Sequence, residues 1–203
     1  MDFKKHLEKA WHSTLKFIAP LILMTLVMTV VSAVTLGILG LVTLAGYIHS
    51  IILMLRDGRE PRVQDLFSQM RLFFPLLGFG ILVFLLSLIG FLLFYLPGIA
   101  VIFVVSFTCL YILPLMTDKG LGLIESVRES YSLAARGNLV DQLVVVIIFW
   151  GISAIGSSVF IGWLFTQPLA TVFLVSVYEE KLQQSQRYPF TFDRERPPFS
   201  KNL

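Results

Sequence analysis

The charged residues of this chain are concentrated in four short stretches, and three long apolar blocks lie between them. The blocks are Phe17–Leu55, Leu72–Thr117 and Leu139–Tyr178, and their only charged residue is Asp141. Each block is about twice the roughly 20 residues that a helix needs to cross a bilayer, so each is predicted to cross and return. Both ends of every block then lie on one side of the membrane, and the basic residues place that side in the cytoplasm.

The composition agrees with a membrane protein and excludes an ordinary soluble domain. Of the 203 residues, 56% are hydrophobic, and the mean hydropathy is +0.82. The single cysteine, Cys109, lies in an apolar stretch, so an intrachain disulfide is impossible and no metal motif is present. The formal net charge of +3 is better explained by topology and by contact with anionic lipid headgroups than by nucleic-acid binding.

The predicted fold is an all-α integral membrane protein with six transmembrane helices arranged as three hairpins. Each hairpin is preceded by an amphipathic helix on the cytoplasmic face. The turns of the first two hairpins are predicted at the glycine-rich stretch Thr35–Gly40 and at Leu96–Gly98, and Gly137–Asn138 is predicted to end the third amphipathic helix. Both termini are predicted to be cytoplasmic, and the expected location is the bacterial inner membrane. The predicted divisions are residues 1–16 as an interfacial helix, 17–181 as the six-span domain with interfacial helices near 63–71 and 121–136, and 182–203 as a flexible cytoplasmic tail.

The pattern of one interfacial helix followed by one hairpin occurs three times, at a period of roughly 60 residues. Internal duplication and convergent membrane patterning both explain such a repeat. In the first interfacial helix, an apolar face is predicted from residues that recur at helical spacing. These residues are Phe3, Leu7, Ala10, Trp11 and Leu15.

Four short motifs carry a resemblance to a known bacterial group. They are Leu96–Gly98, Pro114–Gly120, Glu125–Tyr131 and Gly137–Asn138. The chain resembles the membrane domain attached to some bacterial glycerophosphodiester phosphodiesterases, and related stand-alone membrane proteins. This resemblance implies a six-helix membrane domain. It implies no catalytic residues, because the chemistry of those enzymes belongs to a separate soluble domain.

The sequence offers no set of residues typical of an active site, so no catalytic, metal-binding or cofactor-binding residue is predicted. His49 is the one ionisable residue well inside an apolar span, about 10 Å along a helix from Arg56. It is interpreted either as a functional intramembrane group or as a neutral histidine bonded to a neighbouring helix. Asp141 is interpreted as a carboxylate that stabilises a helix N-terminus.

Cationic and aromatic residues at the predicted cytoplasmic face are expected to contact lipid headgroups, preferentially anionic ones. These residues are Lys4, Lys5, Lys9, Trp11, Lys16, Arg62, Arg71, Arg128 and Arg136. Uncharged polar residues within the spans could either line a pore formed by several subunits or pack helices against one another. These residues, counted together with His49, are Thr25, Thr29, Ser32, His49, Ser153, Ser157 and Gln167.

Three functions follow, in decreasing order of support from the sequence. The first is a non-enzymatic scaffold or accessory subunit that acts through lipid and protein contacts, with the tail as a site for a cytoplasmic protein partner. The second is a homo-oligomeric channel, because short-looped spans with polar stripes can close a ring. The third is a membrane enzyme that acts on lipid, which lacks a recognisable acid, base or metal constellation.

Overall fold

The computed structural model describes residues 3–93, 95–135, 139–157 and 160–187. These residues form helices joined by short turns and loops, without a β-strand. Two short 3-10 helices, Val63–Phe67 and Met70–Leu72, lie between the third and fourth α-helices. The α-helices are α1 (Phe3–Lys16), α2 (Ile18–Val34), α3 (Gly40–Asp57), α4 (Phe73–Leu93), α5 (Tyr95–Thr108), α6 (Ile112–Asp118), α7 (Leu123–Ala135), α8 (Leu139–Ser157) and α9 (Phe160–Arg187).

Four segments of the described chain are long and apolar enough to cross a membrane. They are Gly40–Asp57, Val63–Leu92, Leu96–Asp118 and Leu139–Gly156. A fifth arises if α1 and α2 are counted as one bent span, because they are separated by one residue and bent by 88°. The chain is therefore an all-helical protein of the membrane class, and the number six for its spans stays a prediction.

The ends of the helices follow from local backbone chemistry. α3 ends at Gly58, which adopts a left-handed conformation with φ 65° and donates its N–H to the carbonyl of Met54. The turn between α2 and α3 contains two left-handed residues, Leu36 (φ 51°) and Gly37 (φ 83°). Glycine adopts such an angle without strain, and this places the turn where the glycine-rich break is predicted.

The second hairpin differs from the sequence prediction in its turn. α5 already begins at Tyr95, so the predicted break at Leu96–Gly98 lies inside its first turn. Proline is tolerated there because the first N–H groups of a helix have no intrahelical partner. The backbones of α4 and α5 approach closely nearby, since a Cβ on Gly90 would lie 2.9 Å from the Cα of Gly98.

The predicted interfacial segments have different structures. Residues 63–71 form 3-10 helices with a turn between them, whereas α7 is a regular α-helix within the predicted segment 121–136. α9 continues to Arg187, so the first residues of the predicted tail are helical. The rest of that tail, residues 188–203, lies outside the described residues, as do Arg136 and the predicted helix end at Gly137–Asn138.

The core of the bundle is built around α9, which packs against α1, α2, α3, α7 and α8. Every residue from 170 to 178 is buried. By contrast, only 11% of an apolar 18-residue window of the span Val63–Leu92 is buried, against 56% of the 18 residues Gly40–Asp57. The exposed residues of α4 and α5 are mostly apolar, which is the pattern of helices that face lipid rather than water.

Candidate functional site at the charged end of the bundle

Hydrogen bonds join the C-terminal end of α3 to the C-terminal end of α6 and to the C-terminal half of α9. The guanidinium of Arg56 binds the carboxylate of Asp118 through two nitrogens, with Nη2 2.8 Å from Oδ2. The same guanidinium contacts Glu179, whose Oε1 lies 2.9 Å from Nε and 2.7 Å from Nη2. The hydroxyl of Tyr178 donates to Oδ2 of Asp118 at 3.1 Å. We call this end of the molecule the charged end, and these four residues the exit cluster.

The exit cluster draws one charged residue from each of the three predicted hairpins. Arg56, Asp118 and Glu179 each lie where the second helix of a hairpin leaves its apolar block. They recur at the roughly 60-residue interval of the sequence repeat. A planar guanidinium can bind two carboxylates in one plane. The single side chain of Arg56 therefore joins the ends of all three apolar blocks.

α1 is attached to the same end through a buried histidine. Nδ1 of His6 lies 2.7 Å from the hydroxyl of Ser176, and Nε2 contacts the carboxylate of Glu180. Beside this contact, a polar cavity of about 350 Å³ lies between α1 and α9. Lys5 and Lys9 line it together with the carboxylates on α9. The cationic side of α1 therefore lies next to acidic groups of the bundle.

The protein-facing side of α1 matches the predicted apolar face only in part, because Phe3 and Ala10 pack against the core but Leu7, Trp11 and Leu15 do not. His6, Ala10 and Thr14 are buried, and they recur at a spacing of four residues. Leu7, Trp11 and Leu15 form a parallel ridge that stays exposed. Polar residues face the bundle because His6 and the polar side chains of α9 satisfy one another there. The apolar ridge of Leu7, Trp11 and Leu15 therefore lies on the outer surface of the bundle.

The segment after α3 returns to pack against the middle of that helix. A Cβ on Gly46 would lie 2.3 Å from the carbonyl oxygen of Leu66 and 2.4 Å from that of Asp65. Leu66 is fully buried there. The hydroxyl of Ser50 donates to Oδ2 of Asp65 at 2.8 Å, and Arg59 pairs with the same carboxylate. Only glycine permits so close an approach of two backbones.

His49 lies beside this returning segment and not in isolation among apolar residues. The charges of Asp65, Arg59, Asp118 and Arg71 all act on its ring. Its Nδ1 is buried without a hydrogen-bond partner in the part of the chain that the structure describes. An acidic residue at similar depth is absent from the linear sequence around His49. Asp65 supplies one because Gly46 lets its segment approach.

A second polar network joins α7, α8 and α9 and contains a buried lysine. Nζ of Lys181 donates to Oε1 of Gln142 at 2.6 Å and to the carbonyl oxygen of Leu133 at 2.9 Å. The hydroxyl of Tyr111 donates to the same Oε1 at 2.9 Å, and Nζ lies 5.1 Å from the centre of its ring. Burial lowers the pKa of Lys181 to about 8, although the carboxylate of Asp141 opposes this shift.

The residues predicted to contact lipid headgroups are mostly exposed. Lys4, Lys5, Lys9, Trp11, Lys16, Arg62, Arg71 and Arg128 are exposed, and Arg136 lies outside the described residues. Lys4 pairs with Glu8 one turn along α1, with 3.8 Å between Nζ and Oε1. Nζ of Lys16 lies 5.0 Å from the centre of the Phe17 ring. The headgroup contacts themselves stay a prediction.

The polar residues predicted within the spans are dispersed and do not line one channel through the described bundle. The hydroxyl of Thr25 donates to the carbonyl of Leu21 at 2.8 Å and lies 3.1 Å from the hydroxyl of Tyr47. Thr29 and Ser153 donate to carbonyls one turn back in their own helices. Ser32 lies where α2 approaches Gly40, Gln167 is buried in α9, and the side chain of Ser157 is outside the described residues.

Sequence reasoning missed the residues that the structure brings together most closely. These are Asp118, Gln142, Glu179 and Lys181, which lie far from their partners in the sequence and meet them only after folding. A signal was available for two of them. Asp118 and Glu179 occupy the same place as Arg56 in the repeat, and opposite charges at equivalent positions indicate a pair.

The described residues contain no group of three histidine, cysteine, aspartate or glutamate side chains that could hold a metal ion. Among the described side chains, the polar groups of the exit cluster hydrogen-bond to one another, and so do those of the Lys181 network. Comparison with protein-family models, with curated proteins and with solved structures finds no match for this chain. The resemblance to the phosphodiesterase-associated membrane domain therefore stays a prediction.

Proposed function

We propose that this protein is a non-enzymatic membrane scaffold or accessory subunit whose helix α1 lies flat on the cytoplasmic leaflet and binds anionic lipid. The observation that carries this proposal is the 88° bend between α1 and α2. If α2 crosses the membrane, a helix at nearly a right angle to it lies in the plane of the membrane. That orientation is typical of interfacial amphipathic helices.

The surface of α1 fits this position on each of its sides. His6, Ala10 and Thr14 face the bundle, while Leu7, Trp11 and Leu15 are exposed about a quarter-turn away. Lys5, Lys9 and Lys16 lie on the remaining side, and Lys4 lies at the N-terminal end of the exposed ridge. An exposed apolar ridge with a tryptophan at its centre suits the boundary between headgroups and acyl chains, and lysines beside it reach the phosphates.

We extend the proposal to the topology. Six spans arranged as three hairpins, with both termini cytoplasmic, explain why three helix exits and α1 meet at the charged end. The second span of the third hairpin is then α9, which carries Gln167 and Pro168 but is enclosed by other helices. The bacterial inner membrane remains the proposed location, and a cytoplasmic protein partner for the tail is proposed with it.

The packing role of the intramembrane hydroxyls favours this function over the channel. Thr25, Thr29 and Ser153 each donate to a carbonyl of their own helix, so their hydrogen bonds need no water-filled pore. No observation in the described residues favours an enzyme that acts on lipid.

The test is the lipid composition retained by the protein after release from nanodiscs of mixed neutral and anionic phospholipid, measured by native mass spectrometry. The variant reverses three charges of α1, Lys4→Glu, Lys5→Glu and Lys9→Glu. The matched control is Lys119→Glu, an exposed lysine beyond α6 at the same end of the bundle. We expect the triple variant to lose its enrichment in anionic lipid and the control to keep it.

Equal lipid selectivity in the wild type and the triple variant would refute the role of α1. The same spectra report the oligomeric state. A closed ring of identical subunits that conducts ions in liposomes would replace the scaffold with the channel. A monomer or dimer that retains anionic lipid supports the scaffold.

A further inference from the structure

A cavity of about 350 Å³ lies among α3, α4, α5, α6, α8 and α9 and is open on part of its surface. Its wall is almost entirely apolar and includes Ile48, Leu174 and Cys109. The polar exceptions are Ser106, Gln167 and Thr171. Protein interiors pack with few voids larger than a water molecule, so a cavity of this size indicates a space that is normally filled. An apolar cavity does not hold water stably.

The cavity adjoins a groove on the outer surface of the bundle. This groove has a volume of about 260 Å³, lies between α5 and α8, and is lined by Phe103, Ile147 and Trp150. Ser106 lines both the groove and the cavity, so the two spaces meet at this small side chain. Phe103, Ile147 and Trp150 are about half-exposed, and they lie on apolar helices that are long enough to span a membrane.

The depth of this opening matches the hydrocarbon layer. Ser106 lies twelve residues before Asp118, and Gln167 lies twelve residues before Glu179. The stretch from Gln167 to Glu179 is continuous helix in α9 and extends about 18 Å, which is near the middle of a hydrocarbon core about 30 Å thick. Ser106 lines the same cavity as Gln167 and therefore lies at a similar depth. At that depth the molecules that surround the bundle are acyl chains, and neither water nor a soluble ligand reaches the groove.

We propose that one acyl chain of a bilayer phospholipid enters sideways between α5 and α8, passes Ser106 and occupies the internal cavity. The chain replaces the missing packing contacts along the half-buried wall residues Leu44, Phe79 and Leu113. Gln167, which is 7% exposed, donates to the hydroxyl of Thr171 across 3.5 Å and so keeps its amide directed within its own helix. The cavity thus offers methylene groups an almost entirely apolar wall.

This inference rests on the proposed location in a membrane but not on headgroup binding by α1. A lipid held at this site has its chain between two spans and its headgroup at the leaflet surface. The lipid would therefore act as a structural part of the bundle. Such a lipid should stay bound after extraction, whatever the charge of its headgroup.

The experiment uses the full chain in nanodiscs that contain a phospholipid with a diazirine in the middle of one acyl chain. After irradiation, the crosslinked residues are mapped by peptide mass spectrometry. We expect adducts on Ile48, Thr171 and Leu174, which are 2%, 2% and 4% exposed and are shielded from the surrounding lipid. Adducts on exposed Phe103 occur in any case and serve as the internal reference.

The variant Ser106→Phe fills the junction between groove and cavity. It should reduce the three internal adducts severalfold and leave the Phe103 adduct. The control Ser153→Phe makes the same substitution on α8, away from both spaces, and should leave all adducts unchanged.

Adducts confined to exposed residues of the wild-type protein would overturn the proposal, and this result does not depend on whether Ser106→Phe folds. Internal adducts that persist in a folded Ser106→Phe would overturn the route between α5 and α8. Loss of anionic selectivity in the α1 variants leaves the adduct map unchanged, so the two proposals fail separately.

Discussion

Replacing Gly46 with alanine tests the close packing of the returning segment on α3. The added Cβ would lie 2.3 Å from the carbonyl oxygen of Leu66, whereas ordinary contacts begin at 3.4 Å. The backbone of residues 65–66 must therefore move by about 1 Å. That movement would withdraw the fully buried Leu66 and weaken the 2.8 Å hydrogen bond from Ser50 to Asp65.

The opposing contributions have known sizes. Overpacking of this kind costs about 1–3 kcal/mol. Weakening a hydrogen bond to a charged group costs about 1.5–3 kcal/mol. Alanine returns about 1 kcal/mol through its higher helix propensity. The net loss is about 3 kcal/mol, which corresponds to a melting temperature lower by about 6–12 °C for a chain of this length.

Cys109 provides the assay, because it is the only cysteine and is half-buried. Thermal unfolding in detergent micelles is followed by its reaction with a fluorogenic maleimide. The matched control is Gly78→Ala in α4, where a Cβ would meet nothing within 4 Å. This control should melt about 2–4 °C higher than the wild type. A Gly46→Ala protein that melts as high as this control would refute the packing described here.

Three further predictions concern the polar contacts. Arg56→Met leaves the carboxylates of Asp118 and Glu179 facing each other at 11% and 18% exposure. It should lower the free energy of unfolding by about 3 kcal/mol, while Lys4→Met at the exposed pair with Glu8 should change it by less than about 1 kcal/mol in the same denaturation series. Because the pKa of Lys181 is lowered to about 8 from 10.5, the folded state releases its proton first. Stability should rise between pH 8 and 10.5 by up to about 3 kcal/mol. The Lys181→Met variant should lack this rise, and an identical pH dependence of the two proteins would contradict it. Thr25→Val should cost about 1 kcal/mol by removing the partner of Tyr47, and a change in liposome conductance without loss of stability would instead indicate a pore.

The sequence predicts the all-helical membrane class because long apolar blocks admit few alternatives in lipid. It also predicts the turn near Gly37, since a glycine-rich stretch interrupts the first block. It does not predict that α9 is the central helix. Gln167, Pro168 and Thr171 make α9 less apolar than α4, yet α9 is enclosed and α4 is exposed. Hydropathy indicates whether a helix can face lipid. A helix that other helices enclose does not face lipid, so its hydropathy does not fix its position in the bundle.

The candidate sites are less accessible to sequence reasoning than the fold. The partners of Arg56 are about 60 and 120 residues away, and no local spacing relates them. The approach of Asp65 to His49 depends on one missing side chain at Gly46, which the sequence shows only as a glycine within a span. The internal cavity is lined by residues of six helices, and no single residue of the sequence indicates it.

The central position of α9 sets the order in which the protein can be completed during synthesis. α1, α2 and α3 are synthesised before α9, but much of their core contact is with that helix. Until α9 is made, His6 lacks its partners Ser176 and Glu180, and Arg56 lacks Glu179. The N-terminal helices therefore form an incomplete unit with unpaired polar groups until α9 is added. A chain stopped before α9 would leave a lone cationic helix and an unpaired histidine for cellular quality control to recognise.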